Sequence, residues 1–180
     1  VSSRYILVET LGGLLAAACC LVYGFTWLAA SAFAFLYGLL VIAFIDLDTM
    51  EIPNGLVLYL FLPALALVFL LPGVSPLAHG IGFLTVSLPL FLITLAIPGA
   101  FGGGDIKLMA VAGLALGWQL TLVAFFFGLL GGGGYGIWML AGKRIGRGQH
   151  FAFGPFLALG LALALLIGRP LLIWYIGLLS

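Results

Sequence analysis

Apolar residues in this chain come in long runs, and short clusters of turn formers separate them. The runs cover approximately 6–23, 27–45, 55–71, 79–97, 105–117, 118–141 and 153–167, and a last short one covers 171–179. A helix needs about 20 such residues to cross hydrocarbon, where nothing else satisfies its backbone groups. The breaks fall at Ile52-Pro53-Asn54-Gly55, at Pro72-Gly73, at Pro98-Gly99 and around Gly146 and Gly148. Strands are not expected, because the runs are too long and do not alternate between two faces. The pattern predicts an all-α fold: a polytopic membrane helix bundle of about 6–8 transmembrane segments, one domain over residues 1–180. The run 105–117 is too short to span alone, so its first residue is expected to be set into the membrane. No internal repeat is evident.

Composition supports the membrane reading. Hydrophobic residues make up 65% of the chain and charged ones 6%, against roughly a quarter charged in a soluble domain. Eleven charges cannot solvate the surface of a water-soluble globule. A net charge of +1 leaves no basic face for nucleic acid. Cys19 and Cys20 are adjacent, so they cannot staple the fold, and no zinc-ligand spacing occurs; neither a metal nor a cofactor is expected. The first residue is Val1, with no initiator methionine and no signal-peptide pattern. The chain is therefore expected to be a fragment of something longer.

The charges also predict an orientation. Counting crossings from Arg4 returns Asp46, Asp48, Glu51, Lys107, Lys143, Arg144 and Arg147 to one side, and of the six basic residues only Arg169 dissents. By the positive-inside rule that side is cytoplasmic. Lys143, Arg144 and Arg147 then read as topology determinants in contact with lipid headgroups.

Acids beside a membrane are costly, so each of the five needs a reason. Asp46 closes the second apolar run, and Asp105 follows Gly102-Gly103-Gly104 and opens a helix. Two carboxylates at one depth on one side can form a dyad that shares a proton, one activating water and the other protonating the carbonyl or amine of a peptide bond. Residue chemistry alone leaves a plainer reading equally open, in which Asp105 caps its helix and Asp48 and Glu51 are solvated loop charges. The other protease chemistries fit less well. His79 and His150 stand apart, and no serine has a nucleophile's glycine-flanked setting.

Gly102-Gly103-Gly104-Asp105-Ile106-Lys107-Leu108, with Gly113 and Gly117-Trp118 beyond it, resembles the glycine-any-glycine-aspartate motif of type IV prepilin peptidases. Asp46 with Ile52-Pro53-Asn54 resembles that family's first aspartate segment. Arg4-Tyr5 with Val8-Glu9, and Phe153-Gly154-Pro155-Phe156, resemble its flanking stretches, although Ala152 stands where proline is expected. The resemblance implies that Asp46 and Asp105 are the catalytic pair of a membrane aspartic endopeptidase. It implies cleavage of the basic leader from prepilins or pseudopilins, at the cytoplasmic face of the bacterial inner membrane. Gly102 and Gly104 would shape the approach to Asp105, while Asp48 takes the family's more variable position. Many members also methylate the new N-terminus with S-adenosylmethionine, using an earlier region with paired cysteines that is not in these residues. The resemblance therefore implies either the C-terminal, protease part of a longer enzyme or a branch without the methylation step, and methyl transfer is not expected of this chain alone.

Other groups keep two readings. Glu9 is an interfacial acid or a holder of the substrate's N-terminal region, and Asp48 and Glu51 are solvated charges or attractors of a basic leader. Lys107 points to a different helix face from Asp105 and reads as an interfacial anchor. The four glycines 131–134 read as close helix packing or as a hinge. Two other functions compete: a preflagellin or presenilin-like protease of the same chemistry, and a cation-coupled transporter binding its ion at Asp46 and Asp105.

Overall fold

The computed structural model describes residues 3–142 and 152–179; Lys143, Arg144, Arg147 and His150 lie outside the described residues. Eight helices run through the described part: α1 Ser3–Tyr23, α2 Trp27–Thr49, α3 Asn54–Leu70, α4 Pro76–Thr85, α5 Ser87–Ala96, α6 Gly103–Leu116, α7 Trp118–Ala141 and α8 Gly154–Leu179. There is no strand among the described residues, and the fold is an all-α bundle. Five helical stretches are long and apolar enough to cross a membrane, and α3, at 17 residues, is a shorter apolar helix.

The expected boundaries differ from the observed ones in three places, each for a local reason. The second helix runs past the apolar residues to Thr49, which puts Asp46 and Asp48 inside its last turns. It stops at Met50, which adopts the left-handed conformation (φ 54°) and returns its amide to the Asp46 carbonyl at 2.8 Å. The run 79–97 is one membrane stretch in two pieces, because Pro89 has no N–H to give the Thr85 carbonyl and the helix breaks at Val86. Conversely, Pro170 does not separate a final segment, and α8 continues through it to Leu179.

Helix α6 is the central element and packs against α3, α4, α5, α7 and α8. Seven of its 14 residues are buried, from Leu108 to Leu116. Fourteen residues rise only about 21 Å, so this helix is short for a crossing and is enclosed mainly by its neighbours. Its closest approach is to α4, where Gly82 and Gly113 meet backbone to backbone. A Cβ on Gly113 would fall 1.9 Å from the Gly82 carbonyl oxygen, and one on Gly82 would fall 2.3 Å from that of Gly113. At the far end of α6, Gly117 turns the chain into α7 with φ 78°, and buried His79 of α4 holds the Leu114 carbonyl through Nδ1 at 2.7 Å. Helices α7 and α8 pack as closely, with Gly160 on the backbone at Ala124.

Candidate active site

The end of α2, the start of α6 and the start of α8 meet at one end of the bundle, and Asp46 and Asp105 are there. Asp46 lies in the last turns of α2 and is 5% exposed. A carboxylate at a helix C-terminus faces the negative end of that helix's dipole, so a buried one needs another source of donors. The start of α8 provides it. The Gly154 N–H donates to Asp46 Oδ2 at 2.8 Å, from the first turn of a helix whose leading amides have no intrahelical partner. Gly154 has to be glycine here, since a Cβ would stand 2.7 Å from Oδ2 and 3.0 Å from Cγ of Asp46.

Asp105 occupies the first turn of α6, whose N-cap, Gly102, offers no side-chain oxygen. Its carboxylate bends back over Gly102, where a Cβ would come within 3.1 Å of Oδ2, and the Gly102 amide favours its charge. That is the backward reach of a capping box, so the cap reading and the active-site reading of Asp105 describe one geometry. Asp105 lies outside the five long apolar spans. Asp46 is near enough for the two carboxylates to feel each other's charge.

Two further contacts close the site. The rings of Phe101 and Phe153, each just before a site glycine segment, stand 6.4 Å apart and join the α6 and α8 entrances. Gly104 lies against Ile52, whose Cβ would be 2.7 Å from an added Cβ, and so brings α6 onto the segment that follows α2. Behind them, Phe153 covers Gly132 and Phe156 covers Gly131, while Gly133 and Gly134 face open space. Half of the glycine run is thus ring packing.

The other acids lie on the outside. Asp48 and Glu51 are exposed, close in the chain to Asp46, and Glu9 is exposed on α1. The Lys107 ammonium donates to Asn54 Oδ1 at 2.9 Å and ties α6 to the start of α3. Among the described residues no group of three His, Cys, Asp or Glu could hold a metal. Sequence reasoning singled out the two aspartates but gave Gly154, Phe101 and Phe153 no task. The Phe153-Gly154-Pro155-Phe156 stretch was visible as a motif, yet nothing local ties it to an aspartate 108 positions away.

A sequence model described as the type IV leader peptidase family matches residues 33–137, which takes in Asp46 and Asp105. The chain belongs to that family. It is 34% identical over 98% of its length to a prepilin leader peptidase/N-methyltransferase of Bacillus subtilis, covering 71% of that protein. To the proteins of the same name from Aeromonas hydrophila and Pseudomonas aeruginosa it is 33% and 34% identical, over 98% and 93% of its own length. It spans 62% and 60% of those two relatives. No solved structure matches it.

Proposed function

We propose that this leader peptidase family member is an aspartic endopeptidase that removes the basic leader from prepilins or pseudopilins, with Asp46 and Asp105 as its catalytic pair. The observation that carries the reading is the convergence of two carboxylates, from helices far apart in sequence, on one end of the bundle beside the α8 N-terminus. In the proposed reaction Asp46, held by Gly154, takes a proton from water as the water oxygen bonds to the scissile carbonyl carbon. Asp105 gives its proton to the carbonyl oxygen. Collapse of the tetrahedral species breaks the C–N bond and returns a proton to Asp105, while Asp46 passes its own to the leaving amine. The family's relatives are named for two activities. For these residues we propose cleavage alone, since the sequence has no glycine-rich nucleotide loop.

The proposed setting is the bacterial inner membrane with the site toward the cytoplasm, and this rests on the positions of the basic residues. The exposed Asp48 and Glu51 would attract a basic leader, Glu9 would contact the substrate's N-terminal region, and Gly102 and Gly104 would shape its approach.

The test is to incubate the purified protein with a prepilin and S-adenosylmethionine and to read the product masses. A cleaved, unmethylated product is expected, with Asp46→Asn and Asp105→Asn each folded and inactive and Asp48→Asn substantially active. Loss of activity in Asp48→Asn with full activity in Asp46→Asn would reassign the first carboxylate. A methylated product would overturn the restriction to cleavage.

A further inference from the structure

Beside the active-site end, on a different face of α6 from Asp105, a groove of about 350 Å³ runs between α3, α4 and α6. Its walls are Val57 and Phe61 from α3, Phe83 from α4 and Val111 from α6, and its mouth is Asn54 with Lys107. Phe61 and Phe83 are 42% and 38% exposed, so the groove opens sideways onto the outer surface of the bundle. In a membrane protein an apolar furrow of this kind faces acyl chains. The mouth makes it more selective than a bare furrow. Lys107 is exposed, and its hydrogen-bond partner is the neutral Asn54 Oδ1, which leaves the net positive charge in place. The ammonium has two more protons to donate, and the long aliphatic stem suits it to the boundary between hydrocarbon and water.

We infer that this groove is a binding site for one anionic phospholipid of the surrounding bilayer, with the phosphate on Lys107 and an acyl chain along Val57, Phe61, Phe83 and Val111. The charge pattern selects this occupant. A cation at the rim of an apolar slot complements an amphiphile with an anionic head, and a zwitterionic lipid would gain less from the same lysine. The position gives the lipid a consequence. Its headgroup would sit on the Lys107–Asn54 bond that joins α3 to α6, and Asn54 and Lys107 lie within a few residues of the two segments that carry the aspartates. The groove and its cationic mouth are there whether or not Asp46 and Asp105 cleave a leader.

The experiment measures lipid retention on the full chain by native mass spectrometry, from mixed micelles holding equal dioleoyl-phosphatidylglycerol and dioleoyl-phosphatidylcholine. The wild type should retain phosphatidylglycerol about fivefold over phosphatidylcholine, the scale expected for one lysine near a headgroup. Lys107→Gln should bring the ratio near one, Lys107→Arg should keep it, and Ala110→Trp, which fills the groove, should lower retention of both lipids. Photolysis with a benzophenone amino acid in place of Phe61, with a prepilin present, should give a phospholipid adduct. Equal retention in the wild type, an unchanged ratio in Lys107→Gln or a peptide adduct at position 61 would overturn the inference; the last would make the groove a substrate path.

Discussion

The Gly154 amide is the donor that holds the Asp46 carboxylate, and distance governs what this position can carry. Gly154→Ala would drive a methyl group into the Asp46 carboxylate and should reduce leader cleavage at least tenfold with the helices intact, as judged by circular dichroism and turnover of a prepilin.

Glycines act differently from one helix to the next. At the α4–α6 crossing Gly82 and Gly113 bring two backbones together, so a methyl at either must push the helices apart. Gly133, in the middle of α7, has nothing within 4 Å of its would-be Cβ. Gly113→Ala should therefore lower the melting temperature sharply, whereas Gly133→Ala should raise stability by about 0.5–1 kcal/mol, the ordinary gain from replacing a helical glycine. Equal effects at the two positions would show that the crossing has room for a methyl group. The same contrast marks what was legible in the sequence. Glycine and proline clusters showed where most helices end, and the run of four glycines suggested close packing. Which of the four pack cannot be read locally, because the rings that cover Gly131 and Gly132 arrive from the first turn of α8 and the residue before it. Prolines mislead in the same way. Pro89 breaks its helix at Val86 and Pro170 does not break α8, and a proline's cost depends on what the neighbours do with the freed carbonyl.

Across the whole bundle, the two ends carry different chemistry, and that difference bears on orientation. The aspartates, Glu51 and Lys107 gather where α2 ends and α6 and α8 begin. The opposite end has the α1–α2 turn, the α3–α4 turn and Arg169, the one basic residue that the charge count set apart. Arg169 packs on a turn there. Its guanidinium lies over Gly73 in the α3–α4 turn, where an added Cβ would fall 1.9 Å from Nη2, and the Gly73 φ of 68° already favours glycine. A cation packed against a turn between helices has a packing reason for its place, so it weighs less against the positive-inside count. The aspartate end is then expected to face the cytoplasm. In a chain with Cys19 and Cys20 replaced by serine, a single cysteine at Glu51 should react in intact cells only with a membrane-permeant maleimide. A cysteine at Phe25, which is 98% exposed in the α1–α2 turn, should react with an impermeant one. The reverse labelling would put both carboxylates on the outer face, where a peptidase with a cytoplasmic substrate could not use them.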